Sequence, residues 1–183
     1  MKLKLDLHTH CFEAESIISP QLVTVSVVEK IISCVLAKGL DGIAITEHHN
    51  KDFGTVAKMI ISRQCNDQIM IIPGWEIFLQ SVHVVELFLP ADRVFRFLPH
   101  PIYLDYLERS FDFSQVQAIE IKNYHYDQFL DKPRIKAIAE KYVLLLLSNS
   151  DAHELTDIGY HYNEISLEEL SGLAVSCSRA SLF

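Results

Sequence analysis

The chain has 183 residues, of which 49% are hydrophobic and 22% are charged. This composition is typical of a soluble globular protein and excludes a disordered one, and the length predicts a single domain over residues 1–183. The net charge is −8, with no cluster of Lys and Arg to offset it. Because a duplex binder must neutralise many phosphates, we exclude a long nucleic-acid duplex as a partner.

No apolar run approaches the roughly 20 residues that span a bilayer, so no membrane association is expected. The opening Met-Lys-Leu-Lys leads into a strand pattern rather than a signal peptide. The cysteines form no Cys-x-x-Cys pair, which predicts reduced thiols at Cys11, Cys34, Cys65 and Cys177. These features together predict a cytoplasmic protein.

Hydrophobic periodicity predicts seven strands with helices between them. In chain order the predicted elements are a strand at 2–9, a helix at 20–39, a strand at 41–48, a helix at 52–65, strands at 67–79, 81–90 and 95–101, a helix at 102–111, a strand at 116–123, a helix at 128–141, a strand at 142–153 and a helix at 165–180. The alternation predicts an α/β fold with a mainly parallel sheet. Seven strands in so short a chain favour a compact, irregular barrel, and an open sheet is the alternative.

Histidines and carboxylates collect at the predicted strand ends, where parallel α/β folds place their functional groups. Six of the nine histidines and two carboxylates lie there: His8, His10, His48, Glu76, His83, His100, Asp151 and His153. In the second strand His48 shares a face with the small residues Gly42 and Ala44, which makes it a better ligand than Glu47. We interpret His49, His125 and His161 as ordinary structural histidines.

Imidazole and carboxylate ligands together suit zinc, manganese or iron. Eight ligands exceed the need of one ion, so the pattern predicts two or three divalent metal ions. Two ions about 4 Å apart can clamp a phosphate and hold a bridging hydroxide, which is the chemistry of phosphoester hydrolysis.

Seven motifs carry a family resemblance: DLHTH, GLDGIAITEHH, IIPGWEI, VHVVELF, LPHP, AIEIKN and SNSDAHE. In this order, over residues 3 to about 165, the chain resembles the polymerase and histidinol phosphatase (PHP) family. The resemblance implies a distorted (β/α)7 barrel, similar to a TIM barrel, with a metal cluster that is often trinuclear.

The resemblance also implies a distribution of the ligands. The first ion would be held by His8, His10, Glu76 and Asp151, and the second would share Glu76 and add His83 and His100. The third would use His48, His153 and a residue after the His-x-His motif, for which Glu15 is preferred and Glu13 is the reserve. Two departures from the family pattern lie nearby: Glu47-His48-His49 replaces Asp-His-Asp, and FEAES replaces the segment that begins with Ser-Asp-Gly.

The predicted function is a metal-dependent phosphoesterase that hydrolyses a small phosphomonoester or a nucleotide phosphodiester through a metal-activated hydroxide. Glu76, Asp151 and His153 are the predicted catalytic residues, with Asp151 or His153 assisting proton movement. One alternative is a noncatalytic metal-binding module that stabilises or docks a partner. Another is hydrolysis of a C–N bond, which is disfavoured because no lysine follows the third or fourth strand.

Overall fold

A computed structural model describes residues 1–176 of the protein. In these residues the strands are β1 Leu3–Asp6, β2 Gly42–Ile45, β3 Met70–Leu79, β4 Val82–Leu89, β5 Arg93–Leu98, β6 Ala118–Asn123, β7 Leu145–Asn149, β8 Asn163–Ile165 and β9 Val175–Ser176. The α-helices are α1 Cys11–Ala14, α2 Val25–Ala37, α3 Asp52–Gln64, α4 Leu104–Ser110, α5 Lys132–Tyr142 and α6 Leu167–Leu173. None of the described helices is both long and apolar enough to cross a bilayer.

The strands form one sheet in the order β7-β6-β5-β4-β3-β2-β1-β8, and β9 pairs with β5. The predicted α/β barrel-like fold is confirmed. The sheet is mixed rather than mainly parallel, because β3, β4 and β5 form an antiparallel meander. The loop Gln80–Ser81, with φ of 49° and 63°, is a two-residue hairpin turn too short for a crossover helix.

The segments that follow β1 and β7 lie side by side at the carboxyl ends of these strands. The amide of Leu7 donates to Asn149 Oδ1 at 3.0 Å, and the amide of Asp151 donates to the His8 carbonyl at 2.9 Å. Asn163, at the start of β8, contacts the same edge of β7, where its side chain accepts from the Ser148 amide at 2.9 Å. These bonds nearly close the barrel and place the segment after β1 beside the segment after β7.

The two faces of β2 confirm the predicted division of its side chains. Ala44 packs inside the barrel with Leu7 and Phe97, whereas Ile43 and Ile45 face the layer formed by α2 and α3. A third apolar cluster packs α4 and α5 against the outer face of the sheet, on the other side of the barrel from α2 and α3. The core therefore consists of a barrel interior and two outer layers, and the end of β2 opens into the mouth of the barrel.

The prediction of one closing helix over 165–180 is wrong in its extent. Ile165 ends β8, and α6 begins only after Ser166, whose side chain accepts from the amide of Glu169 at 3.1 Å in a capping box. The helix ends before Ala174, and β9 follows it. The rest of that prediction, residues 177–180, lies outside the described residues.

Candidate metal centre

Four buried donor side chains converge at the carboxyl end of the barrel. His8 and His10 follow β1, Glu76 lies in β3, and Asp151 follows β7. All four are at most 3% exposed. They are the residues expected to hold the first ion.

The distances between these donor atoms have the size of a metal coordination shell. The Nε2 atoms of His8 and His10 are 3.2 Å apart. Glu76 Oε2 lies 3.2 and 3.3 Å from these two atoms, and Asp151 Oδ1 lies 3.3 and 3.2 Å from them. Ligand atoms of a tetrahedral ion with bonds of about 2.0 Å are about 3.3 Å apart, so these five edges fit such an ion.

Glu76 borders a second group of donors through its other oxygen. Its Oε1 atom lies 2.5 Å from His83 Nδ1 and 3.2 Å from His100 Nε2. His48 Nδ1 lies 3.4 Å from Oε2, the Glu76 oxygen that also faces His8 and His10. One carboxylate therefore stands between two groups of imidazoles, which is the position of a bridging ligand.

The third group of donors is more open to solvent. It consists of His10, Glu13, His48 and His153, whose ligand atoms all lie within 4.8 Å of one another. The His10 ring stacks on His48 and His153 with centroid distances of 4.3 and 4.4 Å. His153 Nδ1 donates to the Asp151 carbonyl at 2.9 Å, which leaves Nε2 of His153 free to bind a ligand.

The structure places Glu13, the reserve, rather than the preferred Glu15 beside the other donors of this group. Glu15 forms an ion pair with Lys30 at 2.6 Å, whereas Glu13 lies in the donor group. Helix α1 begins directly after His10, so Glu13 follows His10 by three residues and lies on the same side of the helical turn. Glu15 lies beyond the last helical residue and faces α2 instead.

Glu47 holds this short helix in place rather than joining the donors. Its carboxylate accepts from the amides of Phe12 at 2.7 Å and Glu13 at 3.2 Å, which satisfies two unpaired donors at the helix start. Burial raises the pKa of Glu47 to about 7. The alternation of side chains along the strand therefore places His48 among the donors and Glu47 against helix α1.

Sequence reasoning missed Glu120, a fully buried carboxylate in β6. Its Oε1 accepts from His8 Nδ1 at 3.1 Å and from Asn149 Nδ2 at 2.8 Å. Its Oε2 accepts from the His100 amide at 2.7 Å and from Asn123 Nδ2 at 2.9 Å. The available signal was a charged residue inside the apolar run AIEI of a predicted strand, since such a residue is almost never buried without a partner.

The electrostatics of the four buried donors fit a cation. Burial alone would raise the pKa of Glu76 and Asp151, but the adjacent histidines hold both pKa values well below their usual range. Burial lowers the pKa of His10, yet the carboxylates of Asp151 and Glu76 outweigh it and raise that pKa to about 9. The carboxylates therefore stay ionised and favour a positive charge among the donors, which a divalent ion supplies on displacing the protons.

Two further features point to a site organised for binding. Asp151 Oδ1 and His10 Nδ1 are buried without a hydrogen-bond partner in the described residues. The backbones of His100 and Asp151 have φ of 28° and 57°, in a region that costs free energy for residues other than glycine. Unpaired buried atoms and strained backbone at the donors fit a function in ligand binding better than a function in stability.

Comparison with known proteins agrees with this geometry. A family model described as PHP-associated matches residues 131–174, a segment that contains Asp151 and His153. The resemblance to the PHP family is thereby confirmed. The comparison with curated proteins found no match to this sequence.

Three solved structures share the fold of this chain. A protein from Bifidobacterium adolescentis, named provisionally as a metal-dependent phosphoesterase, has a TM-score of 0.65 at 11% identity, covering 94% of this chain and 96% of that one. PsfC from Pseudomonas syringae has a TM-score of 0.64 at 14% identity, covering 93% and 88%. An amidohydrolase from Chromobacterium violaceum, solved with sulfate and no metal, has a TM-score of 0.62 at 14% identity, covering 96% and 99%.

Proposed function

We propose that the protein is a metal-dependent phosphoesterase acting on a small phosphomonoester or nucleotide phosphodiester. The observation that carries the proposal is the position of Glu76, whose two oxygens border two separate groups of histidines. Adjacent divalent ions polarise a phosphate ester and lower the pKa of water when they are bound. Zinc, manganese and iron suit the mixture of imidazole and carboxylate ligands.

The residues of the chain orient and hold this centre. We assign the first ion to His8, His10, Glu76 and Asp151, the second to Glu76, His83 and His100, and the third to Glu13, His48 and His153. Glu120 orients His8 through its Nδ1 atom, and Glu47 positions the helical turn that carries Glu13. The fully buried first group faces the barrel, while the His48, His83 and His153 side chains are 30%, 32% and 44% exposed and face the substrate side.

We assign proton transfer to His153. Among the histidines of the donor groups, His153 has the most exposed side chain. The hydrogen bond from its Nδ1 to the Asp151 carbonyl fixes the orientation of the ring. While no third ion is bound, its Nε2 atom is free to exchange a proton between the active site and solvent. Asp151 shares in this role because its side chain meets His10 and its carbonyl holds His153.

Activity measurements on metal-loaded protein test the proposal. Zinc, manganese or iron is added to purified protein, and turnover is measured on phosphomonoesters, phosphodiesters and simple amides. We expect phosphoester hydrolysis that falls at least about 100-fold in Glu76→Gln, because the shared ligand loses its charge. His49→Ala, which alters an exposed histidine outside the donor groups, is the matched control and should keep the activity.

Other results would select another function. Amide hydrolysis without phosphoester hydrolysis would favour the activity in the name of the Chromobacterium violaceum protein. Metal bound at all three groups, with no turnover on any substrate, would favour the noncatalytic module.

A further inference from the structure

A large apolar cavity opens beside the second group of donors. Its volume is about 570 Å³, and His83 and His100 form part of its wall. Four aromatic side chains supply much of the rest: Phe78, Tyr103, Tyr106 and Tyr126. The cavity is thus continuous with the candidate metal centre through two of its histidines.

The aromatic side chains of this wall are unusually exposed. Tyr103 and Phe78 are 73% and 72% exposed, and Tyr106 is 43% exposed. Large apolar side chains grouped around one cavity and open to solvent are typical of a surface that a ligand covers. The described residues that line the cavity include no Asp, Glu, Lys or Arg.

Contacts between the wall and the donors define where such a ligand would end. The Phe78 ring packs edge-on against His83 at a centroid distance of 4.2 Å, and Tyr126 packs on His100 at 4.7 Å. Both histidines approach Glu76 Oε1, at 2.5 and 3.2 Å. A molecule that fills the cavity therefore has one end at the donors assigned to the second ion.

We propose that the cavity binds an uncharged aromatic ring carried by the leaving alcohol of the phosphate ester, an inference that rests on the proposed function. Ring faces and edges of the wall favour a flat aromatic partner over an aliphatic one. A charged alcohol would lose hydration without finding an ion partner in the wall. In the reaction the water oxygen forms a new bond to phosphorus, the bond from phosphorus to the alcohol oxygen breaks, and one proton of the water passes to the alcohol.

Four esters with primary alkyl leaving groups test the preference: ethyl, 2-phenylethyl, 2-cyclohexylethyl and 2-aminoethyl phosphate. We expect kcat/KM for the phenylethyl ester to exceed that of the ethyl and aminoethyl esters by at least about tenfold. It should exceed that of the cyclohexyl ester by about threefold or more, because only a flat ring stacks on the wall. In Phe78→Ala and Tyr103→Ala the kcat/KM of the phenylethyl ester should fall to near that of the ethyl ester in the same variant.

Phe129→Ala is the matched control, because Phe129 is 63% exposed and lies outside the cavity wall. It should keep the preference of the unchanged protein. Since both target side chains are largely exposed, their removal should leave the fold intact, and the thermal midpoint of each variant checks this.

Binding of phosphonates, which cannot be hydrolysed, separates the two proposals. Calorimetry compares 2-phenylethylphosphonate with ethylphosphonate on metal-loaded protein. Tighter binding of the phenyl compound that is lost in Phe78→Ala, without hydrolysis of any ester, would support the cavity assignment and overturn the phosphoesterase. Hydrolysis of the esters with equal binding of the two phosphonates, or with equal use of the cyclohexyl and phenyl esters, would overturn the aromatic site and leave the phosphoesterase standing.

Discussion

His8 donates from Nδ1 to the buried carboxylate of Glu120 at 3.1 Å. Because an ionised carboxylate accepts hydrogen bonds but cannot donate one, this bond places the proton of neutral His8 on Nδ1 and leaves the Nε2 lone pair for a ligand. The same Nε2 lies within 3.3 Å of Glu76, His10 and Asp151 donor atoms. A residue outside the predicted ligand set therefore orients the first ligand of the candidate centre.

Glu120→Gln should weaken metal binding by about 10- to 100-fold, as loss of a partner behind a ligating histidine does. Both oxygens of Glu120 accept hydrogen bonds, so an amide nitrogen in either position would face a donor. Competition with a chromophoric chelator measures the affinity. Glu140→Gln, an exposed change on α5, is the control; equal affinity in the two variants would contradict the role of Glu120.

Glu13→Gln and Glu15→Gln distinguish the two candidates for the third group. Glu13 lies beside His10, His48 and His153, so its change should lower the number of ions retained by one. Glu15 pairs with Lys30, whose side chain is 56% exposed, and such pairs contribute about 0–1 kcal/mol to stability. Elemental analysis after dialysis gives the number of ions, and loss of an ion in Glu15→Gln alone would reverse the assignment.

Removal of the metal should lower the thermal stability. An ion present at about 100 times its dissociation constant stabilises the folded state by about 2.7 kcal/mol. For a domain of this size that corresponds to a rise of about 5–10 °C in the midpoint. Calorimetric scans with added zinc and with chelator measure the difference, which should persist in His49→Ala and become smaller in His8→Ala.

Asp6→Asn should destabilise the fold without removing a proposed ligand. The buried carboxylate of Asp6 accepts from the Ser150 hydroxyl at 2.5 Å and from the amides of Ser150 and Gly159 at 3.1 and 2.9 Å. An amide nitrogen there would face a backbone N–H, and we expect a loss of about 2–3 kcal/mol in the free energy of unfolding. Urea denaturation compares this variant with Asp41→Asn, whose exposed carboxylate accepts one amide hydrogen bond and whose change should cost under about 1 kcal/mol.

The hydrophobic pattern predicted the first seven strands, because each side chain on a strand reports which face is buried. The same parity separated His48 from Glu47, and both occupy the expected sides of β2. The pattern did not predict the short strands β8 and β9, which have only three and two residues and whose pairing depends on β1 and β5. It also predicted a mainly parallel sheet, whereas two tight turns make β3, β4 and β5 antiparallel.

By itself the sequence determined the kinds of ligand and their order, since His-x-His, Glu76 and Asp-x-His stand at recognisable strand ends. Only the tertiary structure decided which of these side chains lie together, that Glu13 rather than Glu15 lies beside His48 and His153, and that Glu120 lies behind His8. These outcomes depend on distances between residues far apart in the chain, such as the 3.1 Å from His8 to Glu120 and the 3.2 Å from His10 to Asp151. Local periodicity fixes the face of each side chain, but the twist and near-closure of the sheet determine which faces meet.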